Sequence, residues 1–401
     1  MLSEHEAIKT LLAHAKLLAE KEIITIAEAN GRVNAEKISA PINIPTNDNS
    51  AMDGFACNSA NIQENTAINI SQRIAAGDNP PPLTHGTAAR IFTGASLPPG
   101  ADCIIIQEDC DYNEHTVSMH VRPTAGRHVR YAGEDIRQDD IILNPGDTIG
   151  PAQVGLIASL GVDKVCVYKK LRVALLTTGS ELLEPGTRNE SGKRYNSNRY
   201  TLTAAINQLN IEVAHHRIVA DTLSDTKKAL ISKSQDADIV ISTGGVSVGD
   251  EDHVKTALES TGTMHFWKIA MKPGKPLAFG TINGTPFIGL PGNPVSALVT
   301  FLIIARPFLL ACQGLTPRPL IKYSVTSGFD WSTQQRCEYL RVKLIEADEQ
   351  LIAHRYQSQD SGIQTSLHHS DGLIRIETNS HIKIGDTVSY IPYSALFTAI
   401  S

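Results

Sequence analysis

The chain has 401 residues, enough for roughly two to four domains rather than one core. With 41% hydrophobic and 19% charged residues it reads as globular, and its net charge of −6 argues against a general nucleic-acid or membrane-surface binder. Six scattered cysteines form no C-x-x-C, no stretch reaches the ~18 apolar residues of a membrane span, and the first ten residues lack an apolar signal core, so a cytoplasmic protein with reduced thiols is expected.

Residues 3–20 read as an amphipathic helix, opened by a capping box of Ser3 and Glu6. Residues 22–26 are strand-like and Asn30-Gly31 is a turn. Two prolines and a run of small polar residues make 41–56 an extended loop that delivers Asp53 beside Gly54. The segment 58–131 alternates as short strands, and Gly126-Arg127-His128-Val129-Arg130 closes it with a cluster of cations. A helix at 151–160, with proline at its start, and a short strand at 165–167 follow.

From residue 171 strands and helices alternate. A buried strand at 173–177 ends in Thr178-Gly179-Ser180-Glu181, a helix covers 198–209, and a strand at 212–219 ends at Ala220-Asp221. A helix at 222–232 has Asp225 in its first turn. The next strand runs into T-G-G-V-S-V-G-D-E-D, residues 243–252, and a helix occupies 253–259. This order predicts a parallel, doubly wound sheet, whose strand carboxyl ends form the ligand crevice. Glu181, Asp221 and Asp252 all fall just after strand ends. Gly244, Gly245 and Gly249 let the backbone approach an anion, and carboxylates beside a phosphate require a divalent metal between them.

Lys268, Lys272 and Lys275 then surround a Pro-Gly turn, Asn283-Gly284 predicts a hairpin, and Pro291 and Pro294 fix a rigid turn before an apolar helix at 295–310. Pro317 and Pro319 mark a linker, and 321–401 returns to strand patterns. Acids for a metal beside lysines for a polyanion suit a metal-dependent transferase acting on a phosphorylated anion. No G-K-[ST] and no H-E-x-x-H occurs. Gly245-Val246-Ser247-Val248-Gly249 matches the G-x-S-x-G of a serine-hydrolase elbow, although the three following acids oppose a developing oxyanion.

Taken together, N-S-A-M-D-G-F-A, R-I-F-T-G-A, G-A-D-C-I-I-I-Q-E, G-R-H-V-R-Y-A-G-E-D-I, T-T-G-S-E-L, S-T-G-G-V-S-V-G-D-E-D, M-K-P-G-K-P and G-L-P-G-N-P-V-S resemble the molybdopterin molybdenumtransferase (MoeA-like) family, to which the E domain of gephyrin is akin. The resemblance reduces the hydrolase elbow to coincidence. It implies a multidomain α/β plus β fold: a helical linker domain (1–20, 40–52, 138–168), an inserted β-rich domain (21–39, 53–137), an α/β molybdopterin-binding domain (169–318) and a C-terminal β-barrel (319–401). It implies a cytoplasmic homodimer with its active site between subunits, contact with the upstream molybdopterin adenylyltransferase, and neither nucleic acid nor membrane as partner. The implied reaction transfers molybdate to the dithiolene of adenylated molybdopterin, releasing AMP and needing Mg²⁺.

By the same resemblance Glu181 and Asp252 match metal positions, Asp221 another acid of the site, and Lys268, Lys272 and Lys275 the lysines of the molybdate region. Asp53 and Thr93 match the inserted-domain side, with Arg130 and Asp135 nearby, and Ser366 matches a C-terminal-domain residue at the cleft. Gly244, Gly245, Ser247, Gly249, Pro291 and Pro294 would shape the cofactor-binding turns. The chain departs from the family at His128, where Asn is usual, at Asp139, where Gly is usual, and at His368-His369, which replace small residues.

Overall fold

A computed structural model describes residues 1–246, 253–316, 318–347 and 349–398. The chain divides into two compact units. One comprises residues 1–36, 145–154 and 163–401, the other residues 37–144 and 155–162.

The larger unit is built on six strands in the spatial order Glu212–Val219, Arg172–Thr178, Ile239–Thr243, Thr285–Leu290, Ala278–Ile282, Gly262–Trp267. The first four are parallel. Ala278–Ile282 runs antiparallel to Thr285–Leu290, across the hairpin expected at Asn283-Gly284, and Gly262–Trp267 pairs antiparallel with it in turn. The cause is local: Asn283 and Gly284 have φ of +50° and +87°, so they make a tight hairpin instead of a helical crossover.

Alternation along each strand divides the core into two layers. Val173, Leu175, Ile239, Ile241 and Ile288 point to the layer that holds helix Ser197–Gln208 and the helical segment Pro294–Cys312. Ala174, Leu176, Val240 and Phe287 point to the layer of helices Leu223–Asp236 and His253–Thr261. The sheet is therefore doubly wound as predicted. Pro294–Cys312, expected as an apolar helix at 295–310, is long and apolar enough to cross a membrane, which corrects the expectation that no stretch is. Its apolar window is 83% buried within the protein, as a core helix requires, and its Arg306 donates to the Thr398 carbonyl.

Side chains cap some helix starts. Ser3 and Glu6 form the capping box, but the first helix stops at Glu4–His14, short of residue 20. Beyond it the chain is extended, and Leu18 donates its N–H to the Cys312 carbonyl. The Thr222 side chain caps Leu223–Asp236 by accepting from the Asp225 N–H. Strand Lys21–Thr25 pairs antiparallel with Lys164–Tyr168.

In the C-terminal region Cys337–Ala347, Gln350–Arg355, Tyr323–Ser327, Thr387–Pro392 and Gly372–Ile376 pair in that order, and the last returns to the first. The result is a closed five-stranded barrel. Met271–Lys272 adds in parallel to Cys337–Ala347, pairing Lys272 with Glu338.

The smaller unit carries a six-stranded sheet in the order Cys103–Ile106, Gly54–Cys57, Ala88–Ile91, Ala67–Ile74, Thr116–Met119, Cys110–Tyr112. His128 and Asp139 have φ of +55° and +72°. Both are left-handed positions, where Asn and Gly sit with least strain, so the two departures from the family pattern carry a backbone cost.

Candidate active site

The carboxyl ends of the four parallel strands open onto one cavity of about 770 Å³ in the larger unit. Glu181, Asp221, Gly244, Gly245, Lys272, Lys275, Pro291 and Pro294 all line it. Gly179, at φ +149°, turns the chain so sharply that a Cβ there would lie 2.6 Å from the Glu181 carboxylate. Asp221 approaches the same turn by donating its N–H to Ser180 Oγ at 3.4 Å. Gly244, at φ +88°, and Gly245, at φ +63°, pack on Thr178, where a Cβ on Gly244 would lie 2.5 Å from the Thr178 carbonyl. Glycine is thus required by the fold at this turn as well as by any close-bound anion.

A side chain that the sequence reading missed joins the two glycine turns. Asn198 donates from Nδ2 to Thr243 Oγ1 at 2.9 Å and to the Gly292 carbonyl at 2.7 Å, while Thr243 Oγ1 donates to the Pro291 carbonyl at 2.8 Å. Asn198 and Thr243 are buried, so this network fixes the floor of the cavity.

The lysine side rests on the barrel. Lys272 Nζ lies 3.2 Å from Glu338 Oε1, and Trp331 Nε1 donates to the other Glu338 oxygen at 3.1 Å. Arg336 donates to the Met271 carbonyl at 3.4 Å and lines the cavity, as do Gln359, Asp360, Ser361, Gly362 and Gln364. Asn293 Nδ2 donates to Ser361 Oγ, and the Val295 N–H to the Ser361 carbonyl, which tie this barrel loop to the start of the Pro294–Cys312 segment. Beneath the loop Arg341 is 1% exposed, and burial pushes its guanidinium down to about 10. It donates to Ser366 Oγ and to the Tyr339 and Asp360 carbonyls.

Within the larger unit, Ser366 and Lys268 were expected at the site but do not line this cavity. Ser366 is fully buried, donates to the Ile363 carbonyl and accepts from Arg341, so it shapes the loop from below. Lys268 has φ +118° and donates its backbone N–H to the Leu277 carbonyl. Ser247, Gly249 and Asp252, with Asp250 and Glu251, lie outside the described residues.

In the smaller unit Asp53 precedes strand Gly54–Cys57. Thr93 donates both its N–H, at 2.7 Å, and its hydroxyl, at 2.8 Å, to Asp53 Oδ1. The backbone N–H first, then the hydroxyl, hold this carboxyl below the ordinary carboxylate range. Arg90, stacked on Phe55 and Phe92, donates to the Gly54 carbonyl and to Gln107 Oε1. The Asp53 carbonyl accepts from the Gln107 N–H. Arg130 and Asp135 are exposed on this unit.

Among the described residues no three His, Cys, Asp or Glu side chains cluster as a metal cage. Glu181 and Asp221 are nevertheless the hard oxygen donors that Mg²⁺ takes, because it binds through one or two carboxylates and completes its shell with phosphate and water. The donor set fits that ion.

A glycine-turn α/β crevice with acids on one wall and barrel-supported lysines on another defines a transferase-type anion site. The comparisons name the family. The MoeA N-terminal region (domain I and II) matches residues 2–161, a molybdopterin-binding domain described as probable matches 174–311, and the MoeA C-terminal region (domain IV) matches 325–393. A molybdopterin molybdenumtransferase of Haemophilus influenzae is 40% identical over 78% of this chain and 78% of its own length. Molybdopterin molybdenumtransferase 2 of Mycobacterium tuberculosis is 36% identical over 77% and 80%. A solved molybdopterin biosynthesis MoeA protein of Pyrococcus horikoshii superposes with a TM-score of 0.85 at 26% identity, covering 98% of this chain and all of that one. The chain belongs to the molybdopterin molybdenumtransferase family, transferases of molybdenum cofactor biosynthesis.

Proposed function

We propose that this chain inserts molybdate into the dithiolene of adenylated molybdopterin, with release of AMP and a requirement for Mg²⁺. The observation that carries the reading is the single cavity that joins Glu181, Asp221 and the Gly244-Gly245 turn to Lys272 and Lys275. Lysines balance the two charges of molybdate. The glycine turns, with Pro291 and Pro294, give the backbone close access to the phosphates. Mg²⁺, held by Glu181 with Asp252 or Asp221, would supply positive charge to the pyrophosphate. Asp53, kept ionised by Thr93, orients the attacking oxygen. Lys268 and Ser366, and on the smaller unit Arg130 and Asp135, complete the proposed set of site residues.

The same reading divides the chain into a linker domain (1–20, 40–52, 138–168), an inserted domain (21–39, 53–137), a catalytic domain (169–318) and a barrel (319–401). It makes the protein a cytoplasmic homodimer supplied by the upstream adenylyltransferase. Incubation with adenylated molybdopterin and molybdate, followed by measurement of AMP, tests the reaction. No AMP release by well-folded protein would refute it. Sedimentation tests the dimer, and a fully active monomer at working concentration would refute that part.

Two expected outcomes concern Asp53. Asp53→Asn should leave folding nearly intact and slow turnover by about ten-fold or more, equivalent to ~1.4 kcal/mol at the transition state. Wild-type turnover would remove Asp53 from the mechanism. Thr93→Val keeps the backbone N–H but deletes the hydroxyl donor, so the Asp53 carboxyl should rise toward its ordinary value. A carboxylate depressed in the folded state loses its charge only as pH falls through that lowered value. The acid limb of the pH–rate profile should therefore move to higher pH in Thr93→Val, and an unmoved limb would contradict the role given to this pair.

A further inference from the structure

Residues 179–196 fold as a turn over the acid wall of the cavity, held by two short parallel strands, Leu182–Leu183 and Arg194–Tyr195. Several polar groups of this turn are engaged. Arg194 donates its backbone N–H to the Glu181 carbonyl at 2.8 Å, and Asn196 donates its own to the Leu183 carbonyl at 2.8 Å. Lys193 Nζ donates to the Ser180 carbonyl at 2.7 Å and Tyr195 OH to the Thr187 carbonyl at 2.9 Å. The Arg194 side chain is not among them. It lines the cavity, yet among the described residues it makes no side-chain hydrogen bond and has no carboxylate within the 4.0 Å of an ion pair.

The cavity's charges show what this guanidinium is for. Its described acids are Glu181, Asp221 and Asp360, and its cations are Arg194, Lys272, Lys275 and Arg336. Lys272 and Arg336 are bonded to Glu338 and the Met271 carbonyl, on the barrel side. Arg194 instead shares a hydrogen-bonded turn with Glu181, Ser180 and Asp221. A phosphate seated against those carboxylates meets repulsion unless a cation on the same turn offsets it. A planar guanidinium with five N–H donors matches a phosphate in bidentate fashion, and a pinned backbone limits the entropy lost on binding.

We infer that Arg194 is a substrate-binding residue that grips the phosphate at the nucleotide end, leaving the oxyanion end to the lysines. The inference rests on the nucleotide reading under Proposed function and adds which cation serves which anion. Titration calorimetry on the full-length wild type, Arg194→Ala and Arg194→Lys, with AMP, adenosine and molybdate as separate ligands, tests it. Arg194→Ala should weaken AMP about ten-fold, leave adenosine and molybdate within about twofold, and Arg194→Lys should recover part of the loss. Arg194→Gln, uncharged and of similar length, replaces the alanine variant if thermal melting shows the latter to be unfolded. Unchanged AMP affinity, or equal loss for AMP and adenosine, overturns the role of Arg194 while the nucleotide reading stands. A wild type that binds no AMP overturns both.

Discussion

Lys272→Ala is expected to raise the molybdate concentration needed for half-maximal turnover by about ten-fold or more and to leave the Mg²⁺ requirement within about twofold. The structure makes the effect larger than the loss of one cation. Lys272 is partly exposed, at 43%, but its partner Glu338 is only 9% exposed. Without Lys272, Glu338 keeps the Trp331 N–H and loses its countercharge, so the cavity wall gains a net negative charge where a dianion must bind. Glu338→Gln should therefore restore part of the molybdate affinity in the Lys272→Ala background. The double-mutant cycle isolates that pairwise term. A double mutant no better than Lys272→Ala would mean that Glu338 is silent toward the oxyanion.

Asp252→Ala and Glu181→Gln are expected to do the reverse, raising the Mg²⁺ concentration for half-maximal activity while leaving the molybdate curve nearly in place. Glu181 is anchored by the Gly179 turn and lines the cavity with Asp221. Removing one carboxylate from a site that relies on one or two of them for Mg²⁺ weakens the ion by about ten-fold or more. Asp252→Ala should also weaken the AMP moiety, because the phosphates then face Glu181 and Asp221 with less screening. If Asp252→Ala shifts the molybdate curve alone, or Lys272→Ala shifts the Mg²⁺ curve alone, the division of acids to metal and lysines to oxyanion is wrong.

The parts of the fold that were legible in the sequence are those set by neighbouring residues. Val173, Leu175, Ile239 and Ile241 lie in short apolar runs that become buried strands, and glycine follows each run at its strand end. Thr222 with Asp225, and Asn283 with Gly284, announce a cap and a hairpin within a few residues. Glu181 and Asp221 were reachable because each follows a strand end, and that position alone puts them in the crevice. The rest depends on residues distant in the chain. Arg336 and the loop 359–364 reach the cavity because the barrel pairs Lys272 with Glu338, a contact no local pattern announces. Asn198 has no signal beyond a polar residue at a helix start, yet it bonds two turns 45 and 94 residues away. Ser366 matched a family position, but its burial against Arg341 is a property of the folded barrel. Local periodicity is equally silent about the left-handed backbone at His128 and Asp139.

The central claim is that the cavity couples nucleotide release to molybdenum insertion, and the measurement that tests it most directly is the yield of AMP against the yield of molybdenum-bearing pterin. Wild-type protein should be supplied with adenylated molybdopterin, Mg²⁺ and graded molybdate. The account predicts equal yields that rise together and saturate with molybdate, with little AMP released in its absence. AMP released at full rate without molybdate, or molybdenum inserted without AMP, would contradict it.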